Sequence, residues 1–350
     1  MLDYDETKRA DALRCFSLDT GTELWRRGYL VEIKRNHGIS RTVPAVGERH
    51  VVTIGPRCHV LCADAITGEF RWGTDLVRDH GAKEPLWYTA QCSLLNGSTV
   101  VLAPAGQALM LGVDVDTGRI LWETPNPDGW AMSHSSVVPM EFEGRRMYVY
   151  VALGGLVGVA ADGADAGRIL WRTANWKVSV QAPSPLPLPG GRLLIAAGYG
   201  AGSALFQLRA EGGHLRAELV WRADKTVFGS EQQTPIHYPT HLFAVMPNDA
   251  GALRRRLVCH HPDGRAVWAS PPERRFGLGP LIVGDDKLFV LDDEGTLTMV
   301  RATARSYEEL GRATVLPNAR DSWGPMALVA GRLLVRESER MVCLDLRDQR

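Results

Sequence analysis

DTGTELW (19–25), DAITGEFRW (64–72), DTGRILW (116–122), DAGRILW (165–171) and PDGRAVW (262–268) are five writings of one phrase, and in each a glycine stands four residues before a tryptophan. Trp221, closing LRAELVW (215–221), lacks that glycine but keeps the rhythm. From Trp25 to Trp268 successive tryptophans are 47, 50, 49, 50 and 47 residues apart. A fixed period of roughly 40–50 residues is the mark of a repeat architecture, in which each unit buries its apolar face on its neighbours.

Working outward from Trp72, the unit before it contains TVPAV (42–46), HVVTI (50–54), CHVLCAD (58–64) and EFRW (69–72), four short apolar runs bounded by turn residues. Each unit therefore reads as four strands. The glycine of the D-x-x-G turn supplies the positive φ that a tight connection between the last two strands requires. Pro44, Pro185, Pro235, Pro280 and Pro325 recur at the first strand of the unit, where a missing N–H is tolerated. Four strands per repeat predict an all-β chain, a β-propeller of four-stranded antiparallel blades, and a single domain over 1–350. Gly21, Gly68, Gly118, Gly167 and Gly264, with Trp25, Trp72, Trp122, Trp171, Trp221 and Trp268, are then packing residues. Each tryptophan is expected to cover the turn glycine of a neighbouring blade.

The two ends are irregular. LDY (2–4), ALRCFSLD (12–19) and TELWRR (22–27) read as the later strands of a blade without its first strand. PMALVAG (325–331), RLLVRES (332–338) and RMVCLDL (340–346) read as a blade that stops before its tryptophan strand. Six units lie between, the last with Leu310 where tryptophan is expected. The expectation is eight blades with an incomplete terminal blade. Seven would follow if the Trp25 strand completed the C-terminal blade.

Composition narrows the partners. Of 350 residues, 40 Lys+Arg balance 40 Asp+Glu for a net charge of 0, so nothing in the balance points to nucleic acid or an anionic membrane. No apolar run reaches the length of a transmembrane helix, and the polar MLDYDETKRADALR does not read as a signal peptide. Met1 is accordingly expected to be a late start inside a blade. The six cysteines have no framework spacing, and a chain of this length needs no disulfides to fold.

The D-x-x-T-G-x-x-x-W phrase at this spacing resembles the pyrroloquinoline-quinone-like repeat of the quinoprotein alcohol dehydrogenase superfamily, which also contains non-catalytic relatives such as the outer-membrane-protein assembly lipoprotein. KRNHGISRTVPAV (34–46), WAMSHSSVVPM (130–140), FGSEQQTPI (228–236), RFGLGPLIV (275–283) and DSWGPMALV (321–329) strengthen the resemblance to bacterial members. The resemblance implies a propeller and a periplasmic or cell-envelope location. For the enzymes it also implies an adjacent cysteine pair, a catalytic aspartate and a calcium held by Glu and Asn or Asp. No two cysteines are adjacent here, and no motif places Glu231 or Asp321 in those roles.

Residues that the repeat does not explain concentrate in the connections between blades. The candidate ligand-binding set is Arg35, His37, Arg41, Trp87, Trp130, His134, Glu231, Gln233, Arg275, Asp321 and Trp323. Indoles around a channel mouth suit a flat ligand, a sugar or a peptide, and arginines suit a carboxylate or phosphate. Other constellations point away from chemistry. Cys58 and Cys62 in an extended segment lie too far apart to share one ion. His134-Ser135-Ser136 has no nucleophile elbow, and the glycines of LGGLVGV (153–159) and GYGAGS (198–203) open no helix, so they read as turns. His260 and His261 are expected to point to opposite faces. The expected function is a non-catalytic scaffold that binds a protein, a peptide or a carbohydrate, with no metal and no cofactor. Its rival is a quinone-dependent alcohol or sugar dehydrogenase, which would carry pyrroloquinoline quinone with calcium.

Overall fold

The computed structural model describes residues 1–347 and contains eight antiparallel sheets, over residues 2–30, 45–75, 94–125, 138–173, 186–223, 236–269, 281–314 and 327–345. Six sheets have four strands hydrogen-bonded in chain order, and the first and last have three. They are the blades of an eight-bladed β-propeller. The strand Glu23–Leu30, which carries Trp25, pairs with Ala10–Phe16 inside the first sheet, and the last sheet ends on Met341–Asp345. Among the described residues the first blade thus has no initial strand and the last blade no final one, as their sequences predict.

Contacts divide the chain into two compact units, residues 1–191 with 207–218 and residues 192–206 with 219 onward. In the first, the middle strands bury Val52, Ile54, Val60, Leu102, Met110, Leu111, Tyr150 and Val157 in one core. In the second, Phe243, Val245, Leu257, Leu288, Val290 and Val300 play that part. These strands read as near-continuous apolar runs because both of their faces are covered. Among the described residues no helix is long and apolar enough to cross a membrane. The α-helix Leu76–His80 has one turn and is capped by Asp75, whose carboxylate accepts from the Val77 and Arg78 amides.

The tryptophan ladder is a contact between consecutive blades. A β-carbon added to Gly68 would lie 2.6 Å from the Trp25 indole, one on Gly118 2.8 Å from Trp72, one on Gly167 2.9 Å from Trp122, and one on Gly264 3.5 Å from Trp221. Each of these four tryptophans thus lies against the turn glycine of the blade that follows it in the chain. Polar groups fasten the same joint. The Trp72 indole donates to the Val115 carbonyl (2.7 Å) and the Trp268 indole to that of Thr303 (2.8 Å). Two residues after the tryptophan, Arg27 donates to the Gly68 carbonyl (2.7 Å) and Thr124 to that of Gly167 (2.8 Å). At all four glycines φ lies between 70° and 95°, so a side chain would also strain the backbone.

The other face of each indole needs a small residue on the adjacent strand. Trp25 stands opposite Cys15, Trp72 opposite Cys62, Trp122 opposite Gly112, Trp171 opposite Gly158 and Trp268 opposite Cys259. Three of the six cysteines are therefore small apolar fillers under tryptophan, and burial pushes the thiols of Cys62 and Cys259 up to about 12. All six cysteines are free thiols. A register shift lies just past each of these pairs and leaves the residue before the tryptophan unpaired. That residue is exposed at Leu24, Leu121 and Val267.

In the seventh blade this register corrects the sequence expectation. Met299 stands opposite Gly311, and Leu310 is the unpaired residue, so the tryptophan position belongs to Gly311. Large and small have exchanged strands there: the methionine fills from one side the space that an indole fills from the other.

A side chain at Gly112 would overlap the Trp122 ring. Gly112→Val is expected to cost about 2–4 kcal/mol through overpacking. Gly38→Ala, with open space around it and no positive φ, should stay within about 0.5 kcal/mol of the parent. Denaturant midpoints of the two variants check both expectations.

Candidate functional site

In an antiparallel blade taken in chain order, the connection to the next blade leaves from the same end as the turn between the second and third strands. Loops and turns at that end carry the residues that the repeat does not explain.

In the first unit, Arg41 organises this end. Its guanidinium donates to the carbonyls of Gly38 (2.9 Å), Asn36 (2.6 Å) and Trp87, which ties the 31–44 connection to the 81–93 connection. The second connection is strained: Trp87 and Tyr88 are bulky residues in succession at φ 66° and 74°. The Tyr88 hydroxyl donates to the Lys34 carbonyl (2.8 Å), and the Trp87 ring lies nearly parallel to His134, with centroids 6.4 Å apart. His134 is buried; burial and then the charge of Arg41 push its imidazole down to about 4, so it is neutral at physiological pH. Its Nδ1 has no partner among the described residues. Further along, the Ser136 hydroxyl accepts from the Cys92 amide (2.9 Å) and the Ser136 amide donates to Ser184 Oγ (3.0 Å), joining three connections in a row.

Beneath Arg41 lies a carboxyl that the sequence did not single out. Asp11 is fully buried on the strand Ala10–Phe16 and accepts from Tyr29 Oη (2.9 Å) and Ser40 Oγ (3.0 Å). Burial outweighs those bonds and pushes it up to about 6. Tyr29 is pushed far above its ordinary value, by burial first and then by the charge of Asp11. A β-carbon on Gly55 would collide with this pair.

In the second unit, a chain of polar contacts crosses the same end of three blades. Glu231 accepts from the Asn248 amide (2.9 Å) and, at 3.4 Å, from its side chain. Asn248 Oδ1 accepts from Arg255, whose guanidinium pairs with Asp293 at 3.6 Å. Asp293 also accepts from the Leu278 amide (2.8 Å) and the Trp323 indole (2.7 Å), and Gln233 donates to the Trp323 carbonyl (3.3 Å). Gly277, at φ 63°, has no room for a side chain against Asp293.

The candidates accordingly fall into two groups. Arg41, Trp87 and His134 come together in the first unit, and Glu231, Gln233 and Trp323 in the second. Arg35 stands apart on Glu6 (2.6 Å), and His37 and Asp321 sit in the left-handed region at φ 55° and 52°. Arg275 is exposed and donates to the Arg254 carbonyl. Trp130 is buried over the Gly154–Gly155 turn, and Trp176 is buried on Gln181 (2.9 Å). Sequence reasoning missed Asp11, Asn248, Arg255 and Asp293. Asp11 lies inside a strand, and the other three lie in or beside turns between second and third strands; the antiparallel order alone sends those turns to the same end.

The oxygens that a calcium would need are already committed. Glu231 holds Asn248, and the cation beside Asn248 and Asp293 is the guanidinium of Arg255. Among the described residues no three His, Cys, Asp or Glu side chains gather as metal ligands. These residues do not fit a quinone-calcium centre as they stand.

Residues 9–166 match the family described as outer membrane protein assembly factor BamB. That match lies within the first unit and covers under half of the chain, which as a whole folds as an eight-bladed propeller. BamB from Moraxella catarrhalis is similar at 12% identity and TM-score 0.63, covering 98% of this chain and 90% of that one. AztD from Citrobacter koseri is similar at 11% identity and TM-score 0.58, covering 99% and 90%. Quinohemoprotein alcohol dehydrogenase from Comamonas testosteroni is similar at 12% identity and TM-score 0.44, covering 85% and 70%. At these identities the likeness is one of fold. No curated protein matches the sequence.

A carboxyl raised on folding is stabilising below its unfolded value near 4, and that contribution is lost as pH rises through about 6. Asp11→Asn should therefore gain stability relative to the parent between about pH 4 and 6, by at most ~3 kcal/mol, with a constant difference above. Unfolding at a series of pH values checks the sign. Removing the charge at Arg41, as Arg41→Met, should raise the His134 titration midpoint and speed amide exchange over residues 84–89, observable by NMR.

Proposed function

We propose that this chain is a non-catalytic propeller scaffold that binds a protein or peptide partner through the connections between its blades. The observation that carries this reading is how those connections spend their polar side chains. Arg41, Ser136, Glu231, Asn248 and Asp293 hold backbone groups and one another, so the surface is ordered before any partner arrives. A preordered surface loses little conformational entropy on binding. What each unit leaves in solvent is suited to recognition: Leu86, 63% exposed at the strained turn before Trp87, in the first, and the exposed guanidinium of Arg275 in the second. His134, buried and neutral, is poorly placed to move a proton for a substrate.

One of the named families suits a binding role. BamB is an assembly factor by name, and a protein ligand suits a rigid loop face of this kind. Arg35, His37 and Trp87 are the residues assigned to the surface of the first unit and Arg275, Asp321 and Trp323 to that of the second, and the periplasm or cell envelope is the compartment assigned to the chain.

A photo-crosslinking amino acid at Leu86 should capture a discrete protein in cells, whereas the same group at Ile66, in a turn at the other end of its blade, should not. Titration with pyrroloquinoline quinone and calcium is the counter-test. Saturable binding together with dye reduction by alcohols or aldose sugars would overturn the scaffold reading.

A further inference from the structure

The second unit brings two arginine runs side by side. Arg254, Arg255 and Arg256 end the turn between strands His241–Val245 and Leu257–His260, and Arg274 and Arg275 lie in the connection that follows strand Ala266–Ala269. The Phe276 amide donates to the Arg255 carbonyl (2.7 Å), and the Arg275 guanidinium donates to the Arg254 carbonyl. Ser270 locks the arrangement: its carbonyl accepts from Arg256, and its hydroxyl donates to the Arg274 carbonyl (2.8 Å).

Of these five arginines, two are paired with carboxylates among the described residues: Arg255 with Asp293 (3.6 Å) and Arg274 with Glu309 (2.9 Å). Among the described residues Arg256 is bound only to a carbonyl. Arg254 and Arg275 are both exposed. Arg254 has no hydrogen bond or ion pair on its side chain among the described residues, and Arg275 has only the Arg254 carbonyl. Among the described residues Glu273, the acid next to Arg274 in sequence, pairs with none of the five. Three positive charges thus stand without a carboxylate among the described residues. Like charges fixed together repel, and an incoming anion relieves that repulsion. A guanidinium with one edge held on a carbonyl still offers donors to a carboxylate.

We infer that Arg254 and Arg275 form a docking surface for an acidic segment of a polypeptide, with two or more carboxylates contacting the two guanidiniums. The sites are open and lie on separate loops, so several carboxylates on one chain suit them better than a single enclosed phosphate. This assignment rests on the scaffold reading and specifies its partner class.

The test uses the full chain and a fluorescein-labelled hexaglutamate peptide, read by fluorescence anisotropy. Arg254→Ala/Arg275→Ala should weaken binding by about tenfold or more, and raising salt from about 50 to about 200 mM should weaken the parent severalfold. Arg119→Ala/Arg305→Ala, which removes two exposed arginines from turns at the other end of the blades, should bind like the parent. Thermal melts should superpose for all three proteins. Equal affinity in the parent and the 254/275 variant, or inorganic phosphate binding as tightly as the peptide, would overturn the assignment. If Leu86 crosslinks survive in the 254/275 variant while the peptide fails to bind the parent, the scaffold stands and the acidic partner falls.

Discussion

Every blade that carries a tryptophan in its last strand depends on a slot one indole thick. At Trp25, Trp72 and Trp122 the glycine at positive φ on the following blade bounds it on one side, and a cysteine or glycine on the adjacent strand bounds it on the other. An indole buries much apolar area in a rigid plane, so a gap of constant thickness can be filled identically at each joint. Both walls must therefore stay small, and this one requirement ties together the turn glycines, the tryptophans and three cysteines that otherwise look like unrelated features. The seventh blade meets the same volume requirement with Met299 against Gly311, so the constraint is on the filled space and not on tryptophan itself.

With the joints held at the tryptophan end, the opposite connections are free to differ from blade to blade. In both units they are stiffened by side chains that take backbone carbonyls and amides: Arg41 across two connections, Ser136 between its neighbours, and Asp293 between Leu278 and Trp323. Long irregular segments have many backbone groups to satisfy. This explains why residues that resemble catalytic candidates in isolation are bound up in the architecture. Asp11 and His134 illustrate the electrostatic side. Both are buried next to the connections, and burial drives each toward its neutral form, upward for the acid and downward for the base.

The repeat, its four-strand content, the missing strands at both ends and the packing of Trp25, Trp72, Trp122 and Trp221 on turn glycines were legible in the sequence because each is a local pattern repeated at fixed spacing. So was the crowding of unusual residues in the connections between blades. Which of them meet was not legible. Arg41 reaches Trp87 across 46 positions and Gln233 reaches Trp323 across 90, and no local periodicity encodes such distances.

By itself the sequence determined the fold, since the slot between blades is specified by residues a few positions apart and written again in each repeat. Only the tertiary structure decided the partners of each polar group: that Glu231 holds Asn248, that a guanidinium occupies the place beside Asn248 and Asp293, and that two arginine runs about twenty residues apart lie side by side. The physical reason is that packing volume is set by neighbouring residue types, whereas hydrogen bonds and charge pairs are set by which turns and loops the strand order brings to one end.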